Sequence, residues 1–202
     1  MKLILETLPT FFVEEDKILT ILFEEGLDVL HLRKPETPCI YSERLLTLIP
    51  DKYHKHIVIH DHFYLKDDFL LMGIHINEHN PHKPYNYSGH ISCSCYSIEE
   101  LKNKRNSYNY VLLTSVYDTN SQEISSLVYT PEELRIASRE KIINNKVMAM
   151  GGINVDNIPE VIDFGFGGAV ITDDLWSKFD IHHDKDYNIL IEHFKQLKKI
   201  AG

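Results

Sequence analysis

Side chains able to do acid, base or anion chemistry recur where short apolar runs end. His31, Arg33 and Lys34 close the run Val29–Leu32, and His60 and Asp61 follow Ile57–Ile59. His75, Asn77 and Glu78 belong to Ile74–Ile76, and Ser94, Cys95 and Tyr96 end His90–Cys95. Thr114–Asn120, Gly151-Gly152 and Thr172-Asp173-Asp174 stand in the same relation to three later runs. Arg33 offers a planar fork and Lys34 a point charge for an anionic group, against the plainer reading of a solvated or salt-bridged edge. Asp61 suits Mg²⁺, an ion that takes few carboxylates plus substrate phosphate, or equally the N-cap of a following helix. Gly151-Gly152 and Gly167-Gly168-Ala-Val-Ile171-Thr172 allow backbone amides to approach a phosphate closely, or simply make tight turns.

The elements that must position these residues alternate regularly. Eight apolar runs read as strands: Leu3–Leu8, Val29–Leu32, Ile57–Ile59, Ile74–Ile76, His90–Cys95, Tyr110–Val116, Val147–Met150 and Ala169–Thr172. They are nearly continuous in apolar character, as parallel strands covered on both faces are. Helical periods lie between them. Asp16–Phe23 is stopped by Gly26, and Ser42–Leu48 by Pro50. Ser97-Ile-Glu-Glu and Thr130-Pro-Glu-Glu are capping boxes, and Asn157-Ile-Pro-Glu starts a helix that Gly165 ends. Asp186–Ile200 puts Ile189, Leu190, Phe194 and Leu197 on one face, to be covered by the barrel or by a neighbouring copy in a homodimer. His79–Tyr87, with three prolines, reads as an irregular loop in place of a helix. Eight strand and helix alternations imply a short-loop (β/α)₈ TIM barrel spanning residues 1–202 as one domain, with its active site at the C-terminal strand ends. An open doubly wound sheet is disfavoured because no G-x-G-x-x-G follows the first strand.

Composition narrows the classes of function. The chain has 202 residues, a net charge of −9 and no basic cluster, which argues against duplex nucleic acid or an anionic membrane as main partner. No apolar stretch approaches the roughly 18 residues of a membrane span. The N-terminus, broken by Glu6 and Pro9, does not read as a signal peptide, and three scattered cysteines fit a reducing, cytoplasmic setting. None of the twelve histidines shows a zinc spacing; His182-His183-Asp184 reads as surface, and Cys93 and Cys95 as small buried hydrophobes on one strand face.

Six motifs in order carry a resemblance: Val29-Leu-His-Leu-Arg-Lys, Ile57-Val-Ile-His-Asp, Gly73-Ile-His-Ile-Asn-Glu, Ile91-Ser-Cys-Ser-Cys-Tyr-Ser-Ile-Glu-Glu, Met150-Gly-Gly-Ile and Gly168-Ala-Val-Ile-Thr. Together, from about residue 3 to 176, they resemble the thiamine-phosphate synthase family, which includes the similar thiazole tautomerases. The resemblance implies a (β/α)₈ barrel that joins hydroxymethylpyrimidine diphosphate to hydroxyethylthiazole phosphate with Mg²⁺, releasing pyrophosphate. It places Arg33 and Lys34 on the diphosphate, Ser94 after the fifth strand, and His31 and His60 on the pyrimidine side. Asp61 and Asn80 fall at the metal positions, and Thr119, Ser121 and Gln122 in the loop after the sixth strand. Gly151, Gly152, Ile171 and Thr172 form the thiazole-phosphate cradle. Several positions depart from the family pattern: Pro35 and Gln122 replace lysines, Asn80 replaces an aspartate with Glu78 nearby, and Tyr96 replaces the tautomerase histidine. A tautomerase using Tyr96 or His60 for proton transfer, and a non-catalytic thiazole or thiamine phosphate binder, are the alternative readings.

Overall fold

The computed structural model describes residues 1–117, 129–181 and 186–202. Eight parallel strands close into a barrel in sequence order: β1 Lys2–Glu6, β2 Val29–Leu32, β3 Ile57–Ile59, β4 Gly73–Ile76, β5 His90–Cys95, β6 Tyr110–Leu113, β7 Val147–Met150 and β8 Gly168–Ile171. Closure is made where Ile4 pairs with Val170, and Leu5 with Ile171. The helices are α1 Glu15–Glu24, α2 Cys39–Leu48, α3 Leu65–Asp68, α4 Ile98–Lys104, α5 Pro131–Arg139, α6 Ile158–Asp163, α7 Asp173–Trp176 and α8 Asn188–Ala201, with a 3₁₀ turn at Asp51–His56. The segment 79–87 holds no helix among its residues, as its three prolines imply.

Strand periodicity sorts each residue to one of two faces. Leu3, Leu5, Leu30, Ile57 and Ile59 join the large core between sheet and helices, as do the free cysteines Cys93 and Cys95. Ile4, Val29, Val58, Leu112 and Val170 fill the lumen. Two residues further along each strand, the lumen positions become polar: Glu6 follows Ile4, His31 follows Val29, and His60 follows Val58. The barrel is therefore oily at its base and polar toward its C-terminal mouth.

The caps form as their sequences dictate. Thr130 and Glu133 make a reciprocal capping box. Ser97 accepts from the Glu100 amide, while the Glu100 carboxylate reaches past it to the Tyr96 amide at 2.7 Å. One expectation is corrected at α8. Ile189 is 71% exposed, and the buried face comprises Leu190, Ile191, Phe194, Leu197 and Ala201, packed on α1, α6, α7 and β1. The barrel itself covers that face, so no second copy is needed for it.

Candidate active site

Four strand ends assemble a charged mouth. Arg33, half-buried, forms no ion pair among the described residues, while the Thr7 hydroxyl bridges its backbone, accepting from Arg33 N at 3.1 Å and donating to Arg33 O at 3.0 Å. Glu6, at the end of β1, was not singled out by sequence reasoning, because a glutamate closing a first strand carries no motif. It is 7% exposed, and burial pushes its carboxyl up to about 7, with nearby Arg33 pulling the other way and Asp173 and Asp61 adding to the rise.

Asp61 is held at both oxygens. Oδ2 accepts from the Lys34 amide at 3.0 Å, and Oδ1 from Asn80 Nδ2 at 3.1 Å. Asn80 Nδ2 also donates to the His60 carbonyl at 2.9 Å, so two acceptors fix its amide orientation. The sequence places Asn80 as a metal ligand; the structure instead uses it as a donor that orients Asp61, its oxygen being turned away from that carboxylate. Asn77 sets this up, its Oδ1 accepting from the His79 and Asn80 amides at 3.0 and 2.9 Å. Glu78 stays exposed, 3.6 Å from His79. A single oriented carboxylate with open lone pairs fits a magnesium ion that draws its remaining oxygens from substrate and water.

Lys34 is a second correction. Its Nζ lies 2.6 Å from Glu15 Oε1, donates to Thr10 O at 2.9 Å and sits 4.5 Å above the Phe11 ring, with none of the side chain exposed. The cation expected at the diphosphate is thus consumed in anchoring the β1–α1 connection to the end of β2. Burial lowers the Lys34 ammonium and raises Glu15 to about 7, their mutual attraction opposing both shifts.

Gly151 and Gly152 adopt φ values of 98° and 62°, and a Cβ on Gly151 would lie 2.8 Å from the Ser115 backbone. Glycine is required there by both conformation and space. Asn157, expected as a helix cap, makes no cap bond; it clamps the turn, donating to Gly152 O at 2.8 Å and accepting from the Asn154 amide at 2.9 Å. Ile171 ends β8 and Thr172 precedes α7. Thr119, Ser121 and Gln122, like His182-His183-Asp184, lie outside the described residues.

Beneath the mouth sits a histidine cluster that sequence spacing could not reveal, since its members come from three strands. His31 Nδ1 is 2.8 Å from His60 Nε2, and His31 Nε2 is 2.6 Å from the Tyr110 hydroxyl. His75 Nδ1 and Nε2 contact Ser92 and Ser94 Oγ at 2.8 and 2.9 Å. Burial lowers His31 to about 3 and holds His60 and His75 well below the usual imidazole range, so all three are neutral. Their ligand atoms fall within 4.8 Å of one another. They nevertheless make a poor metal centre. Both nitrogens of His31 and His75 are already bonded, and the His60 and His75 rings stack at 4.2 Å and 16°, aiming their in-plane lone pairs side by side.

A (β/α)₈ barrel with its polar groups gathered at the C-terminal strand ends has the architecture of the barrel enzymes. The pattern defining the thiamine monophosphate synthase family matches residues 14–175, and the chain belongs to that family. It is 29% identical over 170 residues to a thiamine-phosphate synthase of Methanobrevibacter smithii, covering 78% of this chain and 80% of the relative. Among solved structures it resembles a thiamine phosphate pyrophosphorylase from Bacteroides thetaiotaomicron, with 63% identity, a TM-score of 0.93 and coverage of 100% and 98%. A thiamine phosphate pyrophosphorylase from Pyrococcus furiosus shares the fold at 20% identity and a TM-score of 0.75, with coverage of 99% and 95%.

Proposed function

We propose that this barrel joins hydroxymethylpyrimidine diphosphate to hydroxyethylthiazole phosphate, giving thiamine phosphate and pyrophosphate. Family membership together with the adjacency of Arg33 and the oriented Asp61 carboxylate at one mouth carries this reading. Arg33 grips the diphosphate and stabilises charge that grows on pyrophosphate as it leaves. Asp61, aligned by Asn80 and the Lys34 amide, holds Mg²⁺, which supplies further neutralisation of that leaving group when bound. His31, His60 and Ser94 lie on the pyrimidine side. The backbone at Gly151, Gly152, Ile171 and Thr172 holds the thiazole phosphate so that the ring nitrogen meets the pyrimidine methylene in line. Lys34 supports the site by position instead of touching the substrate. The comparisons favour neither the tautomerase nor the non-catalytic alternative.

The partners are accordingly two phosphorylated small molecules, and residues 1–202 act as one domain. No helix among the described residues is long and apolar enough to cross a membrane. A cytoplasmic location accords with three free cysteines. The test is incubation of purified protein with both substrates and Mg²⁺. Thiamine phosphate above a heat-killed control is the expected result, and none above that control overturns the assignment.

A further inference from the structure

The buried polar groups on the β2–β6 side of the lumen join into one chain. Beyond the His31–His60, His31–Tyr110, His75–Ser92 and His75–Ser94 bonds, the Tyr110 hydroxyl is hydrogen-bonded to Ser92, its directly paired neighbour across β5 and β6. Ser94 is in turn hydrogen-bonded to the Tyr96 hydroxyl, and Tyr96 is 42% exposed. The order is therefore Tyr96–Ser94–His75–Ser92–Tyr110–His31–His60. At its inner end His60 Nδ1 is buried without a partner.

We propose that these seven side chains form a single hydrogen-bond relay that sets opposite donor and acceptor character at its two ends, Tyr96 and His60 Nδ1. The argument rests on the number of protons each group owns. A neutral imidazole has one N–H and one bare nitrogen, and a hydroxyl has one proton. Once one bond in the chain has a direction, every other bond must run the same way or a buried group is left unmatched, a penalty of about 1–3 kcal/mol. Only two arrangements satisfy every internal link. In one, all three histidines carry their proton on Nε2, the Tyr96 end donates outward, and His60 Nδ1 presents a bare lone pair. In the other, all three carry it on Nδ1, the Tyr96 end accepts, and His60 presents an N–H. Conversion moves one proton across each link in the same direction, with no net change in charge.

Without a ligand the all-Nε2–H arrangement is favoured, because an unpartnered buried N–H is rarer and costlier than an unpartnered acceptor. His60 Nδ1 is then ready to receive a hydrogen bond from an N–H or O–H group, and a ligand that offers an acceptor instead must turn the whole relay. The inference concerns the state of the protein alone and stands whatever reaction the mouth catalyses.

Nitrogen-15 NMR of histidine-labelled protein distinguishes pyrrole-type from pyridine-type ring nitrogens. His31, His60 and His75 are assigned by single His→Gln variants. The expected result is one shared tautomer, Nε2–H, in all three. Ser94→Ala removes the acceptor of the His75 N–H and should shift His60 toward Nδ1–H, although no bond joins positions 94 and 60. Adding Tyr110→Phe cuts the relay and should abolish that shift; Ser92→Ala makes the same cut if Tyr110→Phe fails to fold. Mixed tautomers among the three rings, a doubly protonated ring, or a His60 signal indifferent to Ser94→Ala overturns the relay.

Discussion

Lys34 Nζ and Glu15 Oε1 meet at 2.6 Å in a fully buried ion pair that ties the start of α1 to the end of β2. The Lys34 amide, on the same residue, donates to Asp61 Oδ2 at 3.0 Å. One residue therefore anchors the β1–α1 connection with its side chain and aligns the mouth carboxylate with its backbone. Arg33, next in sequence, is carried along.

Removing one member of this pair strands the other in the core. Glu15→Ala should cost about 3–5 kcal/mol in urea unfolding. Lys34→Met combined with Glu15→Leu should be less destabilising than the sum of the single changes, since together they leave no buried charge. A Lys34→Met protein of undiminished stability that had lost all turnover would show that Lys34 acts on substrate after all.

Glu6 makes stability depend on pH in a direction unusual for a carboxylate. Its folded value is raised from 4.5 to about 7, so the protein favours the neutral acid. That contribution is complete below pH 4.5 and is lost as pH rises through 7; at 1.36 kcal/mol per unit it amounts to at most about 3 kcal/mol. Glu6→Gln should remove the dependence, and its melting temperature should gain on the wild type between pH 5 and 8. Parallel pH profiles for the two proteins would contradict the assignment.

Arg33 and Asp61 should fail in different ways. Arg33→Ala is expected to raise KM for the pyrimidine diphosphate by at least about tenfold, with Arg33→Lys recovering only part because a point charge cannot reproduce the bidentate fork. Asp61→Asn should weaken activation by Mg²⁺, seen as a higher metal concentration for half-maximal rate. Equal magnesium titrations for Asp61→Asn and wild type would remove Asp61 from the metal role.

Gly151→Ala combines a φ of 98° with a Cβ placed 2.8 Å from the Ser115 backbone. Strain of this kind costs about 1–3 kcal/mol. The expected result is a lowered melting temperature together with a raised KM for the thiazole phosphate. A selective loss at the pyrimidine substrate would instead locate the turn in the other half of the site.

Eight apolar runs, their spacing and their capping residues were enough to place every strand, because burial on both faces writes continuous hydrophobic stretches into each one. The same local chemistry marked Arg33, Asp61 and Gly151-Gly152 as mouth residues, since a barrel presents whatever follows each strand. Direction and partnership were not legible. Arg33 and Lys34 are adjacent and equally basic, yet strand alternation sends one to the mouth and the other beneath Phe11 to Glu15. Asn80 reads as a ligand until two acceptors on the same side of its amide make it a donor. His31, His60 and His75 are separated by 29 and 15 positions in the chain and meet only because three neighbouring strands turn the same face inward. Local sequence determined which groups stand at the strand ends; closure of the barrel decided which of them touch, since contact across a lumen depends on register and stagger that no single strand contains.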